Sequence, residues 1–295
     1  MINKNRLFYV LGLLLIFWAC NSTKKINNSD SHMLLGTYSS APRMENSRVD
    51  VDKLISQLED LHANTYNFLI WTNENDWDDL KLFLPKANKK GIKVWVSLVP
   101  PSESKPKARW NSEPFGMDYI TWAKEIAKLS NQYTNLVAWS IDDFAHNLSL
   151  YTPEYVENML NAARSVNKKL LFVPCLYYRQ ITAPFAEKYG NLIDGVLFPY
   201  RAESSKKFNL QDATLVKTEI ENVRKLFSKS IPVLLDVYST AHSRLGSSTP
   251  QYVHDVIAEG LKYADGVFIY THPINQVDIN KYDVVKELFK KESSK

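Results

Sequence analysis

Two adjacent carboxylates close an otherwise apolar run in this chain. Residues 139–144 read WSIDDF, and the acids are Asp142 and Asp143. If residues 136–141 form a strand, alternation sends Ala138, Ser140 and Asp142 to one face. Val137, Trp139 and Ile141 then face the other side, against helices. Two like charges this close cannot both ionise cheaply, so one carboxyl keeps its proton and the other stays charged. An acid beside a carboxylate is what cleavage of a glycosidic bond requires. Two more carboxylates, Glu203 and Asp236, stand at or just after the ends of other apolar runs. An arrangement with Asp142 as nucleophile and Glu203 or Asp236 as acid is therefore also open. A metal-dependent hydrolase using Asp142, Asp236 and His272 is a further reading, without a recognisable ligand spacing.

The Asp-Asp pair ending the fourth run resembles that of barrel glycosidases with substrate-assisted catalysis, notably the O-GlcNAc hydrolases, and more distantly the chitinases. The resemblance implies that Asp142 orients the substrate's 2-acetamido group and that Asp143 protonates the leaving oxygen. Chitinase-like barrels place a Tyr at the end of strand six, and Tyr200 in the segment FPYR has the comparable place. The chitinase pattern D-x-x-D-x-D-x-E is absent, because residues 136–144 contain no terminal Glu. Other barrel glycosidases carry a Glu after strand four and another after strand seven, where this chain offers Asp143 and Asp236.

Arginines and aromatics stand near the same acids. Arg43, Arg179 and Arg201 follow the first, fifth and sixth runs. Their planar forks match carboxylate and sulfate, so their convergence would suit an acidic polysaccharide. Tyr38, Trp71, Tyr177, Tyr178, Tyr200, Tyr238 and Tyr270 lie at run ends and offer faces on which sugar rings could stack. His146 and His272 are candidates for proton transfer or for donation to sugar hydroxyls.

These residues need a scaffold that gathers run ends. Eight short apolar runs (34–38, 65–71, 93–99, 136–141, 170–177, 195–200, 231–237 and 266–270) are the predicted strands. Most are apolar throughout, as strands buried on both faces should be. Amphipathic stretches at 52–62, 119–129, 153–166, 212–227 and 250–263 alternate with them. Thr152 before Pro153 and Thr249 before Pro250 are helix-start signals. Alternating strands and helices imply parallel pairing. Eight units imply closure, so the expected fold class is α/β, a single (β/α)₈ TIM barrel with its working face at the C-terminal strand ends. Residues 194–200 (DGVLFPY) and 265–270 (DGVFIY) echo each other as entries to the sixth and eighth strands.

Composition narrows the function. The chain has 295 residues, 45% of them hydrophobic, enough for one such barrel of about 250 residues with a leader and tail. Residues 1–19 form a secretory-type leader: Lys4 and Arg6, an apolar run, then Ala19 before Cys20. A Cys directly after a small residue resembles a bacterial lipobox, which implies that Cys20 is lipidated after cleavage. Residues 20–33 read as a polar tether and 34–295 as the barrel. The expected location is the cell envelope, on the periplasmic face or the cell surface, with the membrane reached through the lipid. The net charge of +4 loses two positive charges with the leader, too little to suggest nucleic acid. No Gly-rich phosphate loop, Walker sequence or H-E-x-x-H is present, and no cofactor or metal is expected. Cys175, in LLFVPCLYY, reads as a buried small hydrophobe. The expected activity is glycoside hydrolysis on an extracytoplasmic polysaccharide or oligosaccharide. The alternative is a non-catalytic glycan-binding lipoprotein on a degenerate barrel.

Overall fold

The structure is a computed structural model that describes residues 33–71, 73–270 and 278–295. The leader, Cys20, residues 20–32 of the tether, Thr72 and His272 lie outside the described residues.

Eight parallel strands form one curled sheet: β1 (Leu34–Tyr38), β2 (Thr65–Ile70), β3 (Lys93–Leu98), β4 (Leu136–Ile141), β5 (Leu171–Phe172), β6 (Val196–Pro199), β7 (Val233–Tyr238) and β10 (Gly266–Tyr270). A small hairpin, β8 (Ala241–His242) with β9 (Gly246–Ser247), follows β7. The sheet order is β5-β4-β3-β2-β1-β10-β7-β6, so the first and last large strands pair. The architecture fits an α/β (β/α)₈ barrel, with the ladder open between β5 and β6. The reason lies in Pro174. It lacks an N–H, and β5 stops at two residues where a run over 170–177 is expected. The chain stays extended beyond it, and one parallel bridge, Cys175 to Leu197, spans the seam.

Eight helices cover the outside: α1 (Val51–Asp60), α2 (Asp76–Lys89), α3 (Tyr119–Gln132), α4 (Pro153–Arg164), α5 (Ala183–Tyr189), α6 (Val216–Leu226), α7 (Pro250–Tyr263) and α8 (Ile279–Ser293). Thr152 and Thr249 cap α4 and α7 through their side chains, with Pro in the first turn. Three helices escape the periodicity: α2 carries Pro85 inside, α5 has only seven residues, and α8 is the polar tail.

The core has two layers. Leu34, Trp95, Ala138, Val173, Leu234 and Phe268 fill the barrel interior, while Trp139, Ile141 and their like pack outward against the helices. Gly36 makes room for this filling, because a Cβ there would lie 2.6 Å from the Phe268 ring. Val137 does not face the helices as alternation predicts. The β3–β4 register shifts between Val94 and Trp95, skipping Val137, which packs against the interior layer instead.

The two Asp-Gly entries are equivalent in detail. Asp194 accepts from the Phe172 amide at 3.1 Å and pairs with Arg164 of α4. Asp265 accepts from the Val233 amide at 2.9 Å and pairs with Arg224 of α6. Each carboxylate ties the previous strand and the helix that leads into it, α4 with β5 and α6 with β7, to the entry of the next strand.

Candidate active site

A cavity of about 680 Å³ opens at the C-terminal ends of the strands. Asp142 lies on its floor, half-buried just past the end of β4, with its amide bonded to Leu98 of β3. The next residue changes the chain direction. Asp143 takes the left-handed conformation (φ 43°, ψ 35°) and leads into a 3₁₀ turn, Phe144–Asn147. In a strand two successive side chains diverge. The left-handed kink instead lets both carboxylates line one cavity, and Asp is among the few non-glycine residues that tolerate it. Asn147 steadies the turn, donating to the Asp143 carbonyl at 3.0 Å and to the Ser102 hydroxyl at 3.0 Å.

The paired acids have unequal surroundings. Burial, then the charge of Asp143, pushes the Asp142 carboxyl up to about 7. The Cys175 thiol donates to Asp142 and opposes that rise. Burial pushes the thiol itself well up, so it keeps its proton. Cys175 is thus a buried small side chain, as expected, and also the floor beneath the acid. Asp143 pairs with His146 at 3.2 Å through one oxygen, and its other oxygen is buried with no hydrogen-bond partner among the described residues. Glu103, after β3, joins the rim, raised by burial and then by Asp143. Asp236 at β7 is buried and raised well above its usual range by burial and then by Asp142. Its Oδ1 has no partner among the described residues.

Aromatic rings form much of the wall. Tyr270 packs between Tyr38, edge-on at 5.6 Å, and Tyr238, tilted at 5.1 Å, and Trp71 stands beside Trp110. Arg201 lies 3.9 Å over the Tyr177 ring, and Phe208 also lines the cavity.

Of the residues singled out in the sequence, Asp142, Asp143, Asp236, Tyr38, Trp71, His146, Tyr177, Arg201, Tyr238 and Tyr270 line this one cavity. Five others do not. Glu203 is buried with its carboxylate committed to Arg201 and to the Arg179 amide, so it orients an arginine and faces no substrate space. Arg43 is paired with Asp76 at 2.6 Å on the β1–α1 side. Arg179 donates to the carbonyls of Glu203 and Ser205 and lies over Phe208. Tyr178 accepts from Asn222 of α6, and Tyr200 is fully buried, donating to the Asp212 carbonyl at 2.6 Å. The convergence of three arginines is therefore replaced by Arg201 with Arg244 and His242 of the β8–β9 hairpin. Sequence reasoning stopped at Tyr238 and did not find that hairpin. Its faint signal was Gly246, whose positive φ of 78° ends the turn. Glu103 was legible as a carboxylate at a strand end. Among the described residues no group of three or more His, Cys, Asp or Glu is placed to hold a metal ion.

No protein-family model matches the chain, and no curated protein matches it. Solved structures share its fold. A GH113 β-1,4-mannanase superposes with a TM-score of 0.60 at 12% identity, over 88% of this chain and 99% of that one. A GH2 β-galacturonidase from Eisenbergiella tayi, bound to galacturonate, gives 0.58 at 11% over 88% of this chain. This chain spans about half, 51%, of that enzyme's length. An endoglucanase of Pseudomonas stutzeri, Cel5A, gives 0.56 at 11%, over 87% of this chain and 94% of its own. At these identities the likeness is one of fold, that of a TIM-barrel-like α/β protein.

Proposed function

We propose that this chain is a glycoside hydrolase that cleaves a glycosidic bond in a polysaccharide or oligosaccharide by carboxylate general acid catalysis. One observation carries the reading: two adjacent acids, one of them pushed up to about 7 by burial and by its neighbour, line an aromatic-walled cavity at the C-terminal end of β4. The fold shared with enzymes named for mannan, galacturonide and glucan cleavage supports it.

With its carboxyl pushed up to about 7, Asp142 is protonated in a large share of molecules at neutral pH and donates that proton to the leaving oxygen. Asp143, paired with His146, faces the positive charge that develops on the sugar ring. This order of roles reverses the one implied by the likeness to O-GlcNAc hydrolases. Trp71, Tyr177 and Tyr270 supply faces for the sugar rings.

The test is a glycan panel digested with the wild-type chain and with Asp142→Asn and Asp143→Asn, with products read by mass spectrometry. Each variant is expected to lose about 100-fold or more in turnover. Wild-type turnover by both variants overturns the assignment. Binding without product, indifferent to Asp143→Asn, identifies a glycan-binding module instead.

We also propose that the chain works in the cell envelope, held by lipid on Cys20. The support is the leader, Ala19 before Cys20, and the polar stretch after it. Labelling with a fatty-acid analogue that is lost in Cys20→Ser checks it.

A further inference from the structure

We propose that the β6–β7 side of the cavity is an anion subsite, in which Arg201, His242 and Arg244 take the carboxylate of a uronic acid unit. The proposal rests on the cavity being a carbohydrate-cleaving site, and it adds the class of sugar.

The first argument is an accounting of protons. The His242 ring meets an N–H donor at each nitrogen. The Arg244 amide donates to Nδ1 at 3.0 Å, and Arg201 Nη1 stands 3.3 Å from Nε2. Burial, Arg201 and Arg244 all push the imidazole below its usual range, so at neutral pH it carries a single proton. A neutral imidazole accepts at one nitrogen only. With Nδ1 accepting from the main chain, the ring proton sits on Nε2 and meets the N–H of Arg201; in the other tautomer it sits on Nδ1 and meets the Arg244 amide. Two donors then stand side by side with no acceptor between them. The two oxygens of a carboxylate would satisfy both.

The second argument is that the donors are held in place. Glu203 engages Nε and Nη2 of Arg201 and leaves the Nη1 edge towards His242. Tyr177 supports the guanidinium from one face at 3.9 Å. The base of the hairpin is pinned by Lys281 of α8, itself buried, which donates to the Thr240 and Ser248 carbonyls at 3.0 and 3.4 Å.

The third argument is charge. Glu203 cancels Arg201, but the exposed Arg244 guanidinium makes no ion pair among the described residues and lines the same cavity. Asp143 and Glu103 occupy the β3–β4 side. Asp236, on β7, is the acid on the cation side, and burial raises its carboxyl well above its usual range, which favours its neutral form. A substrate carrying its anionic group towards β6–β7 therefore avoids Asp143 and Glu103 and meets the cations.

The experiment is titration calorimetry on the cleavage-deficient Asp142→Asn chain, so that binding is read without turnover. The probes are oligogalacturonate and oligoglucuronate tetrasaccharides, their carboxyl-reduced neutral counterparts, and a sulfated galactan tetrasaccharide. At least one uronate is expected to bind about tenfold more tightly than its reduced counterpart, as loss of one charge-assisted contact predicts. Arg244→Ala, at an exposed position, and His242→Phe should each remove most of that preference. The proposal is overturned if no uronate exceeds its reduced form, if the preference survives both substitutions, or if only the sulfated probe binds. Uronate preference in a wild-type chain that releases no product keeps the subsite and overturns the hydrolase. Cleavage of neutral glycans without uronate preference does the reverse.

Discussion

Asp142, the proposed proton donor, also carries a cost. Its carboxyl is pushed up to about 7 by burial and by Asp143, so the acid form persists to neutrality. If it is the proton donor, kcat/KM should fall above about pH 7. Cys175→Ala removes a donor that favours the carboxylate. The alkaline limb should therefore move to higher pH in that variant, and an unmoved or lowered limb in a pH–rate profile would count against the thiol contact. The same shift sets a stability trend. The folded state holds this proton more tightly than the unfolded chain, so stability declines as pH rises from the ordinary carboxylate range to about 7. Asp236 acts in the same direction. Asp142→Asn has no such titration, and its gain in thermal midpoint over wild type should be larger at pH 8 than at pH 5, measured by calorimetry. A gain in stability with a loss of activity is the usual trade at a site that holds a buried acid.

At the scale of elements, the end of β4 shows how a strand delivers two neighbouring acids to one place. The left-handed backbone at Asp143 does it, and Asn also tolerates that region, so Asp143→Asn removes the charge and spares the turn. The barrel interior depends on a similar local choice at Gly36. A Cβ there would meet three atoms of the Phe268 ring within 2.9 Å, and Phe268 is wedged against Trp95, 4.9 Å away. Gly36→Ala should cost about 1–3 kcal/mol and lower the thermal midpoint by several degrees. An unchanged midpoint would mean that the ring has room to move. The strand runs were readable because most are apolar on both faces. Their lengths were less so, since Pro174 cuts β5 and Pro85 interrupts the pattern of α2.

At the scale of the molecule, the two ends of the described chain meet. β1 pairs with β10, and Tyr282 of α8 donates to Asp60 at the end of α1 at 2.7 Å. Val285 and Phe289 of α8 are fully buried, and burying side chains of this kind contributes about 1.5–3 kcal/mol each. Through Lys281 the same helix also holds the hairpin that carries His242 and Arg244. Truncation after Asp278 should therefore lower the midpoint by about 10 °C or more, or leave the chain insoluble. Lys281→Met is the milder variant. It should loosen the hairpin and weaken uronate binding more than it lowers the midpoint, measured by calorimetry on the same preparation.

The sequence by itself determined the alternation of strands and helices, the acid pair at the end of β4, and most of the aromatic wall. Period and burial are local properties, and a strand buried on both faces cannot hide its apolar run. Only the tertiary structure decided which strand-end residues share a cavity. Glu203, Arg43, Arg179, Tyr178 and Tyr200 stand at or near strand ends in the sequence, yet each is turned aside by a partner far along the chain or on a neighbouring element. His242 and Arg244 sit well past their strand and reach the cavity because a hairpin folds them back over it. The direction of a side chain at a strand end depends on the loop that follows and on the charges it meets there, and neither is written in the local pattern.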